Sequence, residues 1–572
     1  MNPTASPSSL HAGEPSAVAF SGSRRLCRLL AWLLLAACCA LWCYVLGART
    51  LIPTDESRYA EIAREMTASG DFISQRLNGI QYYGKPPLQA WMTALTFQAF
   101  GLGEWQARLW TGLCGLFGIA MVTYTGWRLF GRRAGLFNGL VLASSLYWIA
   151  AGHISSLDMG LAAMMTLALC ALLLAQRDDA SDGERRNYML LCWAGLGLAM
   201  MSKGLIGVVL PGAVLVVYAL LTRDFAIWKR LHVIAGLPVF FAITLQWFVA
   251  MSVRNPEFLH FFFIREHFQR FSSNVHLRQA PWHYYLPYLL GGVLPWLGVC
   301  LQSLRAGWGK AAGRFQPDKL LLVWAVFIFC FFSIAKGKLP SYILPVFPAI
   351  AMLIGHYLDK APRRDFIIAA ALTVVVGVVM LGMAWHFPRR RDPAEVALYH
   401  AYVPWIVVAG MSMLTGGILA IRLSAKMRTA AVVSIALAGF VSGHALLLGH
   451  EPFGRNKAGL EHLDEISAEI GPDTAIYSVG AYEYSLPFYL RRTMTMVEHA
   501  EDGMVLGLQK EPQLWIPQRE DFVREWMKKR SAGNKAIAVM RPDIHAQLQK
   551  DGVPMRVIAR DARRIVVAND AR

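Results

Sequence analysis

Apolar runs long enough to cross a bilayer recur along residues 27–448, and that repetition leaves one class of fold open. A hydrocarbon core roughly 30 Å thick takes about 20 apolar residues of helix, and a helix satisfies its own backbone groups where no water reaches them. The runs predict spans near 27–48, 109–127, 134–151, 156–176, 188–202, 205–222, 231–251, 285–304, 319–335, 341–359, 366–387, 404–421 and 429–448, about thirteen helices. At 55% hydrophobic and 16% charged, a chain of 572 residues is too apolar for a water-soluble protein of that length. The opening stretch, 1–26, is polar and rich in Ser and Pro, and reads as a disordered cytoplasmic N-terminus. The apolar run that follows has no small-residue cleavage site and reads as an uncleaved first span.

Short basic loops set the orientation, because Lys and Arg gather on the cytoplasmic side. They carry Arg24, Arg25 and Arg28; Arg132 and Arg133; Arg185 and Arg186; Lys229 and Arg230; Lys310 and Arg314; Arg363 and Arg364; Lys426 and Arg428. With these loops inside, residues 27–450 form the membrane domain and the tail 451–572 lies outside. The apolar stretch 86–101 breaks the alternation if counted as a span and is predicted to be a juxtamembrane helix. The tail alternates β-rich runs (474–480, 535–540, 555–559, 564–568) with helical patterns (521–530, 542–552), which predicts a small soluble α/β domain. No catalytic motif stands in it, and lid, recognition and folding roles all remain open. The nine cysteines all fall inside apolar runs, so packing is their default role, with no disulfide framework or CxxC metal site.

The outer side carries the chemistry-bearing residues. The large first outer loop, 49–106, holds Asp55, Glu56, Arg58, Glu61, Arg64, Glu65, Arg76 and Lys85. The loop 252–284 holds Arg254, Arg265, Arg270 and Arg278, and a third outer loop Lys336 and Lys338. Basic residues are depleted from short outer loops, so this excess calls for an anionic partner at the membrane surface, and phosphate is the natural one. After Asp55-Glu56, the segment SRYAEIAREM places Tyr59, Ile62, Ala63 and Met66 on one helical face, with Arg58, Glu61 and Glu65 turned away: an interfacial amphipathic helix. Asp55 is also a favoured N-cap. Asp158 is the acid near the start of the span 156–176, and Ser155 before it makes a capping-box-like pattern. Its functional reading is to face Asp55 across an outward-opening cavity.

Lys85, in YYGKPPLQAW, follows Tyr82, Tyr83 and Gly84 and precedes two prolines. A rigid turn with a lysine and flanking aromatics suits a phosphate beside a sugar ring, while the bland alternative is a snorkelling interfacial lysine. Arg270, in FFFIREHFQRF, offers a guanidinium fork that matches phosphate oxygens. The adjacent Glu266-His267 pair points about 100° apart on a helix and is poorly placed to share one metal ion. Lys203, in the turn SKG after a short span, is predicted to sit in a cavity below the outer surface. Tyr342 lies at the outer mouth of a span broken by Pro340, Pro345 and Pro348, and irregular backbone at that depth is tolerated where it lines a polar cavity.

These segments resemble the large membrane glycosyltransferases that take sugars from polyprenyl-phosphate carriers (the GT-C fold). Within that group the chain is most similar to the lipid A aminoarabinose transferases. DESRYAEIAREM (55–66), YYGKPPLQAW (82–91), SSLDMGLA (155–162), SKG (202–204), EHFQRF (266–271) and KLPSYILPVFPA (338–349) carry the resemblance. It implies a mostly α polytopic enzyme of the bacterial inner membrane with its active site facing the periplasm, and no nucleic-acid partner. Undecaprenyl phosphate-linked 4-amino-4-deoxy-L-arabinose would be the donor and a phosphate of lipid A the acceptor, giving polymyxin resistance. Asp55 and Asp158 would be the catalytic pair, and Glu56, Tyr59, Tyr82, Lys85, Lys203, Arg270 and Tyr342 would bind substrate. No metal ligands are assigned, a divalent cation is left open, and the expected state is a monomer. A protein O-mannosyltransferase-like enzyme of the same fold is the alternative. A lipid transporter is disfavoured, since transporters place ionisable groups at the midplane between spans.

The charge pattern makes the topology testable. Cysteine placed at Asn534 should react with a membrane-impermeant maleimide in cells whose outer membrane alone is opened. Labelling only after lysis of the inner membrane would overturn the orientation.

Overall fold

The computed structural model describes residues 17–269, 280–309, 313–386, 389, 395–499 and 504–570. Among them, nine helices are long and apolar enough to cross a membrane, or up to 11 if each of two bent helix pairs is one span. The chain is a multi-pass membrane protein. Each range read as a span falls on a helix or a bent pair. Length and apolarity alone do not give thirteen, because Ile206–Thr222 is a shorter apolar helix and Asp182–Lys203 begins with a charged turn.

The helix Leu157–Ala175 is apolar on all sides, and every residue in it is buried. Such a helix belongs at the centre of a bundle, with other helices rather than lipid around it. Arg28–Gly47, by contrast, buries only 17% of its apolar window and turns Leu29, Trp32 and Leu33 outward. Small residues let the inner helices close up: a Cβ on Gly195 would stand 2.8 Å from the Ala168 backbone nitrogen, inside contact distance.

Two spans are broken in the middle. Arg132–Ser144 and Leu146–Gly152 meet at 66°, and Trp282–Gly292 and Leu297–Gly307 at 111°. A break frees backbone groups that hydrocarbon cannot satisfy. Here the two breaks satisfy each other: the Leu146 N–H donates to the Leu294 carbonyl at 3.2 Å, and Trp296 Nε1 donates to Ser144 Oγ at 2.8 Å. Beyond them, the Pro-rich segment starts as a 3-10 turn, Pro340–Val346, before the helix Phe347–Lys360. Lys338 points back and donates to the carbonyls of Ser333 and Ala335, both at 2.6 Å, closing the C-terminal end of the helix Pro317–Ile334.

The first outer loop folds as a helix, Asp55–Ser69, a two-residue hairpin and a second helix, Leu88–Phe100. The second helix has 13 residues, about 20 Å at 1.5 Å each, and stops short of crossing. The hairpin pairs β1 (Arg76–Leu77) with β2 (Ile80–Gln81) around Asn78-Gly79, both at positive φ as a primed turn requires.

The C-terminal α/β region is a six-stranded sheet of β3 (Ala475–Val479), β4 (Thr495–Val497), β5 (Trp515–Ile516), β6 (Ala536–Met540), β7 (Arg556–Arg560) and β8 (Ile565–Ala568), in the order β5-β4-β3-β6-β8-β7. The first four in that order run parallel, and β8 and β7 close the sheet antiparallel. The four predicted strand runs are β3, β6, β7 and β8, and the predicted helices are Arg519–Ser531 and Pro542–Lys550.

This sheet region is docked on the first outer loop, which corrects the reading of Asp55–Ser69 as an interfacial helix. Tyr59, Ile62, Ala63 and Met66 are buried as the periodicity requires, but so are Glu56, Glu61 and Glu65. The face expected to meet water meets Tyr482, Tyr484 and Ser485 instead. Ser57 Oγ lies 2.8 Å from Ser485 Oγ, and Arg58 stacks 5.0 Å over the Tyr484 ring. The hairpin tip joins the same interface, where Asn78 exchanges two hydrogen bonds with the Met494 backbone at 2.6 and 2.7 Å.

Beneath that interface, Glu61 takes a two-pronged contact from Arg64 at 2.7 Å, and Glu65 accepts the Gly79 N–H at 2.9 Å. Burial pushes the Glu65 carboxyl up to about 8, with the neighbouring Glu61 charge adding to it and the Gly79 N–H opposing. The folded state therefore holds a proton there that the unfolded chain gives up near the ordinary value of 4.5. Stability from this site is present at low pH and lost as pH rises through about 8. Glu65→Gln should flatten that loss, leaving the variant more stable than wild type above the upper limit. Thermal unfolding in detergent across the window checks it, and parallel curves for the two proteins would sink the assignment.

Candidate active site

The site is organised around a carboxylate that water does not reach. Glu56 is 1% exposed and accepts from Arg108 Nε at 2.7 Å and Nη2 at 2.9 Å, from the Ile52 N–H at 2.9 Å and from the Ser155 N–H at 2.9 Å. Arg49 Nη1 adds a contact at 3.4 Å. Burial pushes the Glu56 carboxyl up, but the Arg108 and Arg49 guanidinium groups outweigh it and hold it at about 2. Arg108 spends its remaining hydrogens on the carbonyls of Leu46, Arg49 and Thr50, at 2.6–2.9 Å. One ion pair thus joins the end of the first span, the first outer loop, the helix Glu104–Phe130 and the approach to Leu157–Ala175.

Asp55 and Asp158 flank this pin. Asp55 is the first residue of its helix; the N-cap is Thr54, whose side chain makes no capping bond. Its side chain stays 45% exposed, with Arg58 Nη1 at 3.6 Å. Asp158 is buried one residue inside its helix, whose N-cap is Ser156. Ser155, read as part of a capping box, donates its hydroxyl to the Ala107 carbonyl at 3.1 Å instead. Lys203, at the end of Asp182–Lys203, is ion-paired with Asp158 and stands 4.6 Å from the centroid of the Tyr342 ring.

Tyr59 is buried in the helix that Asp55 begins. Burial pushes its hydroxyl well above the ordinary tyrosine value, and Tyr82, Asp55 and Asp158 all act on it in the same direction. One buried hydroxyl therefore senses both carboxylates, the exposed one and the buried one. Of the candidate residues, Asp158, Lys203 and Tyr342 form a direct cluster, and Tyr59 and Tyr82 pack in one apolar cluster with Leu157 beside it. Glu56 stands beside them but gives its oxygens to the protein.

Lys85 stands three residues before the helix Leu88–Phe100. Its carbonyl accepts from Gln75 Nε2 at 2.7 Å, and its ammonium pairs with Glu266 Oε2 at 3.1 Å. Glu266 belongs to the π-helical stretch His260–Gln269, whose Phe261 and Phe262 pack with Tyr83, Leu88 and Trp247. Lys510 of the C-terminal region ties the same two loops together, donating to Asn255 Oδ1 at 2.9 Å and to the Tyr83 hydroxyl at 3.2 Å. Arg270 lies outside the described residues, as does the His267 side chain. Among the described residues, no group of three or more His, Cys, Asp or Glu converges as a metal site.

Two family descriptions match the chain: "Aminoarabinose transferase C-terminal domain" over residues 462–569, and "Dolichyl-phosphate-mannose-protein mannosyltransferase" over 84–248. Proteins named undecaprenyl phosphate-alpha-4-amino-4-deoxy-L-arabinose arabinosyl transferase align with much of the rest. The one from Aeromonas hydrophila is 34% identical over 64% of this chain and 68% of its own. The one from Edwardsiella ictaluri is 36% identical over 58% of this chain, and the alignment spans 60% of that relative. Among solved structures, ArnT from Cupriavidus metallidurans bound to undecaprenyl phosphate superposes with a TM-score of 0.88 at 40% identity, covering 95% of this chain and 98% of that one.

The chain belongs to the aminoarabinose transferase family.

Membership in this family of membrane glycosyltransferases accounts for the sheet region after residue 451. Sequence reasoning missed two residues that build the candidate site, Arg49 and Arg108. The signal was available for Arg108, a lone arginine where the long apolar run 109–127 begins, since a charge at that depth needs a partner. Nothing in the sequence pairs it with Glu56 in particular. Breaking the pin by Arg108→Ala leaves a buried carboxylate alone and should cost about 3–5 kcal/mol of stability. Arg108→Lys should recover only part, because an ammonium cannot replace the fork. Unfolding in detergent reads both, and a cost below about 1 kcal/mol for Arg108→Ala would remove the pin from its central place.

Proposed function

We propose that this protein transfers 4-amino-4-deoxy-L-arabinose from undecaprenyl phosphate to a phosphate group of lipid A, at the periplasmic face of the bacterial inner membrane. The observation that carries the proposal is the cluster of Asp158, Lys203 and Tyr342 at the end of the helix Asp182–Lys203, with Tyr83 and Leu88, on either side of Lys85, in one apolar cluster with Met200 and Met201 of that helix. The relative from Cupriavidus metallidurans, solved with undecaprenyl phosphate, supports the same carrier.

In this reading Lys85 and Arg270 hold the carrier phosphate and stabilise the charge that gathers on it as the C1–O bond breaks. Asp55 and Asp158 orient the aminosugar and offset positive character at the anomeric carbon. A lipid A phosphate oxygen forms the new bond to C1, and the electron pair of the broken bond stays on undecaprenyl phosphate. The acceptor is already an anion, so no general base is required, and direct displacement with inversion follows. Lys203 positions Asp158, Tyr59, Tyr82 and Tyr342 line the sugar site, and Glu56 positions Asp55 by holding the helix that starts there. The carrier lipid and the acceptor both enter from the membrane, and the outer rim is where both phosphates lie. The match of residues 84–248 to a protein mannosyltransferase description keeps a hydroxyl acceptor as the second reading. The C-terminal match favours the aminosugar.

Asp55→Ala and Asp158→Ala should each abolish aminoarabinose addition, read by mass spectrometry of lipid A, while the proteins still fold and extract normally. Lys85→Ala should lower catalytic efficiency roughly 10- to 100-fold, the loss of one charge-assisted contact in a shielded site. Unmodified lipid A from cells carrying the wild-type gene and the donor would sink the proposal, as would a sugar found on protein instead.

A further inference from the structure

The ion pair between Lys85 and Glu266 is placed where two anions must contend for one cation. Both side chains are shielded, at 16% and 9% exposure, and the contact is 3.1 Å. Shielding strengthens the attraction of each anion for the ammonium and also their mutual repulsion. The two partners come from different outer loops, and both loops are anchored next to the pair. Lys510 fixes Tyr83, two residues before Lys85, and Asn255, which leads into the helical stretch bearing Glu266. Gln75 fixes the Lys85 carbonyl itself. Glu266 stands in a π-helical stretch, a rare geometry that recurs at functional sites.

We propose that Glu266 is an exchange counterion: its carboxylate and the carrier phosphate alternate on the Lys85 ammonium, and its return expels undecaprenyl phosphate after transfer. The inference rests on the reading of Lys85 as a phosphate ligand. The donor is a phosphodiester carrying one negative charge. The product is a monoester, which carries more charge near neutral pH and is held more tightly by the same ammonium. A resident anion that takes the lysine back opposes this product trap. Glu266 neither gains nor loses a proton; it changes only its ion-pair partner, and every covalent change belongs to the transfer. It is a positioning residue that sets how tightly the phosphate is held and how fast it leaves.

The test measures binding of undecaprenyl phosphate to the purified full-length protein, together with steady-state turnover. Glu266→Gln should tighten undecaprenyl phosphate about tenfold, the worth of one charge-assisted contact. It should lower both the donor KM and kcat, because release becomes slower. A residue that merely supported the loop would change affinity in the opposite direction. In a Lys85→Ala background, Glu266→Gln should produce no further tightening, and equal tightening there would overturn the exchange. If Lys85→Ala binds undecaprenyl phosphate as wild type does, the phosphate reading of Lys85 falls and the counterion with it. If Lys85→Ala binds weakly while Glu266→Gln is unchanged or weaker, the counterion alone is overturned. Should Glu266→Gln fail to fold, Glu266→Asp decides, since a shorter acid loosens the pair. An affinity about threefold tighter supports the exchange, and an unchanged or weaker one overturns it.

Discussion

A carboxylate cut off from water has to be satisfied by the groups around it, and Glu56 is satisfied by three separate parts of the chain. Removing two ions from water costs several kcal/mol each, so such a pair persists only with close geometry and with every lone pair and hydrogen used. Glu56 and Arg108 meet that condition through backbone amides on one side and backbone carbonyls on the other. The arrangement is stiff as a result. Asp55 is the neighbour of Glu56 in sequence, and Asp158 follows three residues after the Ser155 amide that Glu56 holds. The distance between the two acids is set by a residue that itself faces the protein.

The C-terminal region extends that stiffness across the outer surface. It covers the second face of Asp55–Ser69, closes the hairpin tip through Asn78, and reaches the segment before Lys85 through Lys510 and Glu511. A sheet with no catalytic motif of its own thus holds two outer loops in register. Among the described residues, its polar contacts with the first outer loop are side chain to backbone more often than ion pair, so the register is specified by geometry rather than by net charge, which salt would screen.

The spans were legible because apolar length is a local property, and the α/β tail was legible because its strands alternate within a few residues. What was not legible depends on partners far apart in sequence. The periodicity of SRYAEIAREM correctly assigns Tyr59, Ile62, Ala63 and Met66 to a buried face, but it cannot reveal that a sheet more than 400 residues later buries Glu61 and Glu65 as well. The breaks at Ser145 and Pro295 answer each other across the bundle, so neither reads as a break when its run is counted alone. Asp55, Asp158, Lys85, Lys203 and Tyr342 stood out as polar residues at outer span ends. The pairing of Asp158 with Lys203 beside Tyr342 needed the fold, as did the Glu266 partner 181 residues from Lys85.

The two acids differ in a way that bears on the proposed chemistry. Asp158 is buried and engaged by Lys203, an arrangement that orients a partner and balances charge. Asp55 faces water at the rim, with Arg58 as a looser neighbour. A hydroxyl acceptor would need one of them to take its proton as the bond forms. A phosphate acceptor asks for neither, and what limits the reaction is then bringing two anionic phosphates to one anomeric carbon without mutual repulsion. Lys85 is already matched with Glu266, as Lys203 is with Asp158, so in the proposed exchange a phosphate arriving at Lys85 replaces a carboxylate rather than adding to an excess of cations.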